Sequence, residues 1–288
     1  PVIFFITSIL VTALVGFFAT RYVLSDVSFQ NSLLAAQQNN GLKTYQEQAN
    51  SINTFPYRDA YYRIFSQTNL ALANSLAASQ PKNSSPSAQT QQNIYTLIQQ
   101  SINAGRTATT LSPLTALNWQ NLSSVYRNLI GFGQNADAFA VLTNQQAIGL
   151  DPNNPQEYVN LGGIYYQLGQ WDNAINQFLI AIRLKNDYAN AYYNLGHAYE
   201  QKGDLQNALA QYQTVRTLVA SDANNLKQIN AEIDSLQKKI GKTAAENGGA
   251  QTGTGNQQPL EISTPSAQLP QQKTPVKIPS PPASSSAR

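Results

Sequence analysis

The pattern of apolar and polar positions in the middle of the chain repeats at a shift of 34 residues (192 minus 158). Residues 158–162, YVNLG, reappear as residues 192–196, YYNLG. Further pairs at this shift are Tyr165 and Tyr199, Gly169 and Gly203, Ala174 and Ala208, Phe178 and Tyr212, and Leu184 and Leu218. Because the apolar residues of a unit are three and four positions apart, they share one face of a helix. The pattern therefore predicts pairs of helices separated by a glycine.

A single predicted pair is too small to bury its apolar face, so neighbouring pairs must stack into a solenoid. Gly162 should let the second helix approach closely, and Phe178 should fill the space beside the crossing. The period and the residue order resemble the tetratricopeptide repeat. This resemblance implies an all-α fold, a right-handed α-solenoid, with its clearest repeats over residues 113–220.

A proline near the end of each unit extends the pattern upstream. Pro152, Pro113 and Pro56 lie six residues before Tyr158, Trp119 and Tyr62, and Asn186 takes the place of proline before Tyr192. Proline suits this point because it cannot continue one helix but is tolerated at the start of the next. We therefore expect degenerate repeat-like helices over residues 23–112, with a polar loop inserted near residues 79–88.

A further helix is predicted over residues 221–241, where it would cover the open end of the solenoid. Ser221-Asp222 is typical of a helix start and Gly241 of a helix stop. The apolar residues between them are spaced by three and four: Leu226, Ile229, Ile233, Leu236 and Ile240. The same positions fit a heptad, so the alternative is a short coiled-coil seam for dimerisation.

The N-terminal segment has a different pattern. Val2–Thr20 is apolar throughout, carries no charge and is followed by Arg21 and Tyr22. About 20 apolar residues cross a bilayer, and arginine and tyrosine are common at its surface, so residues 1–22 are predicted to form a transmembrane helix. The alternatives are a cleaved signal peptide and a buried helix of the fold. Because the chain starts at Pro1 and contains no methionine, we expect it to be a piece of a longer protein.

Residues 242–288 are rich in Gly, Gln, Thr, Ser and Pro without an apolar period, which predicts a disordered tail. The chain of 288 residues has no cysteine, and only 11% of its residues are charged. Sparse charge and amide-rich helices behind a spanning segment favour an extracytoplasmic location, periplasmic or at the cell surface. Only Arg21 follows the span closely, which agrees weakly with this orientation.

Composition also limits the chemistry. The net charge of +3 comes from dispersed lysines and arginines, without the basic stripe that nucleic-acid binding requires. A single histidine, His197, cannot form a zinc-type site, and no phosphate-binding glycine loop or nucleophile elbow is present. We interpret the visible chain as non-enzymatic, with no catalytic residue, metal ligand or cofactor site.

Binding is the remaining function. In tetratricopeptide repeats the first helices line a concave groove for a peptide or a partner helix, and the resemblance implies groove candidates in the two strong units. These are Gln156, Val159, Asn160, Tyr166, Gln167, Asn190, Tyr193, Asn194, His197, Glu200 and Gln201. The lysines and arginines that clamp an acidic chaperone tail are missing at 156, 159 and 193. Tyrosine and amide side chains suit hydrogen bonds to a peptide backbone, or stacking on sugars.

A second resemblance concerns the first quarter of the chain. The spanning segment followed by RYVLSD at 21–26, LLAA at 33–36 and INTFPYRDAYYR at 52–63 is similar to the last membrane helix and repeat tail of bacterial O-antigen ligase and polymerase family proteins. This resemblance implies an accessory domain of a glycan transferase whose catalytic membrane part lies outside this chain. It stands beside two other hypotheses: a membrane-anchored scaffold that recruits a protein in the cell envelope, and a solenoid that binds glycan directly.

Overall fold

A computed structural model of the chain describes residues 2–80 and 86–248. All regular structure in these ranges is α-helical, as the sequence predicts. The helices are α1 (Val2–Gln37), α2 (Gly41–Thr54), α3 (Asp59–Ala78), α4 (Ala88–Leu111), α5 (Ala116–Asn128), α6 (Ala136–Leu150), α7 (Pro155–Gln167), α8 (Trp171–Leu184), α9 (Ala189–Lys202), α10 (Leu205–Leu218) and α11 (Ala223–Gly248). The predicted tail from residue 249 onward and residues 81–85 of the predicted loop lie outside the described residues.

Successive helices pack as antiparallel pairs, α3 with α4, α5 with α6, α7 with α8, and α9 with α10. Each predicted unit boundary falls in a short turn, with Pro56 before α3, Pro113 before α5 and Pro152 before α7. Hydrogen bonds explain the six-residue offset. The Tyr158 hydroxyl donates to the Pro152 carbonyl oxygen over 3.0 Å, and Trp119 Nε1 donates to that of Pro113 over 2.7 Å. The aromatic side chain at the start of the next unit thus stabilises the turn by a hydrogen bond to the carbonyl group of its proline.

The two strong repeats are packed through glycine and an aromatic ring. A Cβ atom placed on Gly162 would lie 2.4 Å from the Phe178 ring, and one on Gly196 would lie 2.4 Å from the Tyr212 ring. Both rings are buried, with 0% and 1% of their surface exposed. Only glycine allows the ring to lie directly on the backbone of the first helix, which confirms the close approach predicted from the sequence.

The first helix of the chain is longer than predicted. Residues 2–20 of α1 are all exposed, and by length and composition this segment is apolar enough to cross a membrane. Beyond the predicted transmembrane segment of residues 1–22, α1 continues without a break to Gln37. Its second half packs against α2, with Ser25, Ser32 and Ala35 buried, so α1 and α2 form one more helix pair at the start of the stack.

The last helix, α11, packs against α10. Asp222 caps its start by accepting hydrogen bonds from the backbone N–H groups of Asn224 and Asn225, both at 3.0 Å. Ile229, Ile233 and Leu236 are buried in a cluster with Ala208, Tyr212 and Val215, so the residues that would form a coiled-coil seam cover the end of the stack. The predicted stop at Gly241 is wrong. A glycine inside a helix costs about 1 kcal/mol, and the helix-forming residues that follow it carry α11 on to Gly248.

Candidate functional site

The first helices of the pairs form one continuous face, which we call the first-helix face and define by α3, α5, α7 and α9. Contacts between α3 and α5 and between α7 and α9 bring these helices side by side. A cleft of about 540 Å³, the amide cleft, opens on this face between α3, α5 and α7. Its polar lining consists largely of side-chain amides: Gln67, Asn74, Gln120, Asn121, Asn128 and Asn160. Such side chains offer both donors and acceptors to a peptide backbone.

Two arginines line the amide cleft and differ in their partners. Arg63 of α3 donates from Nη1 to Asn118 Oδ1 over 3.0 Å and lies 3.9 Å from the Asp59 carboxylate. Arg127, in the last turn of α5, has no Asp or Glu of the described chain within 4 Å. The charge of Arg63 is therefore balanced within the protein, whereas that of Arg127 is not.

Arg127 is held in place by α7. Its guanidinium packs on Gly163, where an added Cβ would lie 2.8 Å from Nη2, and its Nε donates to Gln167 Oε1 over a long 3.4 Å. Burial lowers the pKa of Arg127 below its usual 12.5, yet an arginine stays charged near neutral pH. A partly buried cation with unused N–H donors at the wall of a cleft is suited to a carboxylate, which it can bind through two parallel hydrogen bonds.

Three of the predicted groove residues border this cleft. Asn160 lines it directly and accepts a hydrogen bond of 2.8 Å from Gln156 Nε2. The Gln156 carbonyl oxygen in turn accepts from the hydroxyl of Tyr188, at the start of α9. Gln167 is exposed at the end of α7 beside Arg127. The α7 wall of the amide cleft is therefore Asn160 with Ile164, and Gln156 and Gln167 are hydrogen-bonded to the lining residues Asn160 and Arg127.

Val159 was expected in the groove, and this expectation is wrong. Only 6% of its surface is exposed, and it packs in the core with Ala191 and Leu195. The first helix of the next repeat, α9, covers it. A residue at this point of the repeat lies at the contact between consecutive first helices and is closed to a ligand.

Tyr193, His197 and Glu200 are partly covered by α11 and remain half-buried. Tyr193 donates to Glu232 Oε1 over 2.8 Å, His197 Nε2 lies 3.7 Å from Glu232 Oε2, and Lys239 pairs with Glu200 at 3.1 Å. Since Ile229 lies 34 residues beyond Leu195 and is buried likewise, α11 occupies the place of one more first helix. These side chains contact α11, and Tyr193 also lines a cavity of about 340 Å³ with Asn190 and Gln228, so their part in a ligand groove stays a prediction.

Burial raises the pKa of two tyrosines at the contact between α11 and the last repeat. Tyr212 lies under α11 with its hydroxyl 2.9 Å from His197 Nδ1 and 3.3 Å from Glu200 Oε2. Burial first, and the nearby Glu200 and Glu232 carboxylates second, raise the pKa of Tyr212 well above its usual value of 10. Burial and Glu232 raise the pKa of Tyr193 in the same direction. Both phenols remain protonated near neutral pH, where they act as hydrogen-bond donors.

The other predicted groove residues lie near the first-helix face without forming a site. Asn194 Nδ2 donates to the carbonyl oxygen of the exposed Asn190 over 2.7 Å. Tyr166 packs edge-on against Trp171 and lies beside the exposed Gln201. None of these four residues lines the amide cleft.

Comparison with protein families gives two matches within the strong repeats. "TPR repeat" matches residues 162–203, and "Tetratricopeptide repeat" matches residues 191–224. Residues 162–224 of the chain carry tetratricopeptide repeats. A comparison with curated proteins finds no match.

Several solved structures share the fold. A thermophilic TPR protein of Thermus thermophilus is 16% identical with a TM-score of 0.52, over 72% of this chain and 97% of its own. PilW, a widely conserved type IV pilus biogenesis factor, is 12% identical with a TM-score of 0.52, over 75% and 98%. MamA from Desulfovibrio magneticus RS-1 is 14% identical with a TM-score of 0.51, over 69% and 97%. At these identities the likeness establishes the helical solenoid and no shared ligand.

Sequence reasoning missed Arg127 and the α3 and α5 walls of the amide cleft. The spacing within the repeat could have indicated the position of Arg127. Arg127 lies 14 residues after Pro113, as Tyr166 does after Pro152 and Glu200 does after Asn186. Aligning the tetratricopeptide repeats on these turns would have placed Arg127 on the first-helix face. Among the described residues, no three His, Cys, Asp or Glu side chains are close enough to share a metal ion.

Proposed function

We propose that this protein is a membrane-anchored scaffold whose amide cleft binds an extended segment of a partner protein in the cell envelope. The observation that carries the proposal is Arg127, a cation without a carboxylate partner in the wall of an amide-rich cleft. The partner would supply the missing anion as an acidic side chain or a C-terminal carboxylate. The cleft amides would pair with its backbone, since a desolvated peptide group needs a hydrogen-bond partner.

The α1 helix supports the anchoring part of the proposal. Residues 2–20 are exposed along their whole length, and this segment is long and apolar enough to cross a membrane. Nineteen helical residues rise about 28 Å, close to the thickness of the hydrocarbon core. The expected observation is that the full chain floats with phosphatidylcholine vesicles in a density gradient, whereas a chain lacking residues 2–20 stays at the bottom.

Peptide selection tests the cleft. A random-peptide display library is panned against the full chain in lipid nanodiscs, and the enriched peptides are measured by fluorescence polarisation. We expect the enriched peptides to share a carboxylate. We expect Arg127→Gln to weaken them about tenfold to a hundredfold, since a hydrogen bond to a charged group contributes about 1.5–3 kcal/mol.

Arg183→Gln is the matched control, because Arg183 is exposed in the last turn of α8, outside the amide cleft. Its affinity for the same peptides should equal that of the unchanged protein. Equal binding by Arg127→Gln would remove the anion site from the proposal. A library that yields no enriched peptide would contradict the peptide-binding function itself.

A further inference from the structure

The turn between α2 and α3 lies beside the apolar segment of α1. Phe55 and Tyr57 from this turn face the last part of that segment and enclose a groove of about 450 Å³ with it. Seven residues line the groove: Leu14, Val15, Phe18, Ala19, Tyr22, Phe55 and Tyr57. None of them carries a charge, and Tyr57 is 63% exposed. An aromatic turn thus overhangs a helix surface that has no other packing partner in the described chain.

Arg21 fixes the turn to α1. Its Nε donates to the Thr54 carbonyl oxygen over 2.6 Å, and its Nη2 donates to that of Asn53 over 3.0 Å. These are the last carbonyl groups of α2, which lack partners inside the helix and attract a cation. The ring of Phe55 lies edge-on between Tyr22 and Tyr57, with centroid distances of 5.5 Å and 5.3 Å. The position of the turn along α1 is therefore set by several independent contacts.

The depth of the turn follows from the helix rise. Leu14 precedes Arg21 by seven residues, which corresponds to about 10 Å along α1. If residues 2–20 span the hydrocarbon core, Phe55 and Tyr57 lie at its boundary with the headgroups. Tyrosine is enriched at that level because its ring is apolar and its hydroxyl is polar. Arg58 and Asp26, paired at 2.7 Å directly after the turn and the span, provide charge on the headgroup side.

We infer that the α2–α3 turn is a second membrane contact, in which Phe55 and Tyr57 enter the bilayer interface and the groove beside α1 holds a lipid acyl chain. This inference rests on the proposed function, since it requires α1 to span the membrane. It adds a lipid-binding surface on the folded repeat domain to the anchor itself. The apolar lining continues into the lipid-facing surface of α1, which selects an acyl chain as the occupant.

Site-directed spin labelling tests the inference. The chain has no cysteine, so single cysteines can be labelled without other changes. A nitroxide is placed at Tyr57→Cys, at Tyr95→Cys and at Phe5→Cys in the full chain in phosphatidylcholine nanodiscs. Tyr95 is the matched control, a tyrosine on α4 that is 58% exposed, and Phe5 reports on the span itself. Collision rates with oxygen, which enters lipid, and with a nickel chelate, which stays in water, are measured at each site.

We expect the ratio of oxygen to nickel accessibility at Tyr57 to be several-fold higher than at Tyr95 and lower than at Phe5. A ratio at Tyr57 equal to that at Tyr95, with Phe5 in lipid, would overturn this inference and leave the anchored scaffold intact. A water-exposed Phe5 would overturn both. Because Tyr57 is largely exposed, its replacement should preserve the fold, and an unchanged thermal unfolding curve verifies this. Labelling at Phe55→Cys provides a second position in the same turn, with the same expected ratio.

Discussion

The upstream and downstream repeats place different residues at the same point of the helix crossing. Ten residues after the closing position of each unit, the upstream units carry Ser66 and Ser123, and the downstream units carry Gly162 and Gly196. Ser66 and Ser101 each donate to the other's carbonyl oxygen over 2.8 Å, and Ser123 donates to that of Ala140 over 2.9 Å. The glycines instead receive an aromatic ring on the bare backbone. Hydrogen bonds close the upstream pairs, and apolar packing closes the downstream ones.

This difference extends through the interior. Every buried polar residue of the described chain lies at or before Glu157, and the first of them, Ser25, is already in α1. Beyond Glu157 the buried side chains are apolar or aromatic, such as Phe178, Leu195 and Ile229. The same helix-pair geometry thus tolerates two chemistries of contact. The change from apolar to polar contacts also explains why the upstream units keep the helix-pair structure but lose sequence similarity to the downstream units.

Among the variants that test this difference, Gly162→Ala should change the free energy of unfolding the most. The added Cβ would lie 2.4 Å from the Phe178 ring, which is fully buried and cannot turn away, so we expect a loss of about 2–3 kcal/mol in the free energy of unfolding. Chemical denaturation followed by circular dichroism measures it. Gly149→Ala in α6 is the control, because nothing lies within 4 Å of its added Cβ. Equal stabilities of the two variants would contradict the proposed role of close packing.

Ser66→Ala tests the upstream contact. The change removes the hydrogen bond to Ser101 and leaves the buried Asn121 Nδ2, 3.1 Å away, without its acceptor. We expect a loss of about 1–2 kcal/mol, because a buried polar group without a partner is costly. Ser235→Ala, at an exposed position of α11, should change the stability by less than about 0.5 kcal/mol. A Ser66 variant as stable as the Ser235 variant would show that the upstream pairs do not depend on these hydrogen bonds.

Glu157 lies at the border between the upstream and downstream regions. The pH dependence of its contribution to stability should give the smallest of the three effects. Burial, followed by the nearby Asp151 charge, raises the pKa of Glu157 above its usual 4.5, although hydrogen bonds from Asn160 and Asn144 oppose the shift. A carboxyl group with a raised folded-state pKa favours the folded state below its unfolded-state pKa. This contribution is lost as the pH rises through the folded-state pKa.

Glu157→Gln keeps the shape of the side chain and removes the buried charge. We expect a gain of about 0.5–1 kcal/mol at pH 7 and none at pH 4, where the carboxyl is largely protonated in both states. Unfolding curves between pH 4 and pH 8 measure the difference. Glu47→Gln, on α2 and outside this cluster, is the matched control for the substitution itself. A gain that is constant across this range would assign the effect to the amide and not to the charge.

The sequence predicted the downstream fold well because its signal is strong. Glycine and an aromatic residue must recur together wherever a ring packs on a helix backbone, so Gly162 with Phe178 and Gly196 with Tyr212 are readily recognised. Serine contacts such as Ser66 with Ser101 use residues that are common on helix surfaces, and no spacing rule singles them out. The pairing of α1 with α2 was missed for the same reason, since its buried face consists of Ser25, Ser32 and Ala35.

The candidate site was predicted only in part. Asn160 lines the amide cleft, and Gln156 and Gln167 are hydrogen-bonded to its lining residues. Val159 is buried under the following helix, and Tyr193 is partly covered by α11. Which first-helix residues are covered depends on what occupies the next place in the stack. The sequence predicted a helix over residues 221–241 that covers the end of the stack, but not which side chains of α9 it contacts. Arg127 stands out only when the positions of all neighbouring carboxylates are known, which requires the folded structure.

The uninterrupted course of α1 has a consequence for encounter rates. Residues 21–37 continue the helix about 25 Å past the proposed span, without the flexible segment that usually follows a membrane anchor. A rigid connection confines the amide cleft to one height above the bilayer, whereas a flexible linker would let the cleft reach any height within the length of the linker. The effective concentration of the cleft is then high for partners at that height and close to zero elsewhere. A partner with the right sequence at the wrong distance from the membrane would go unbound.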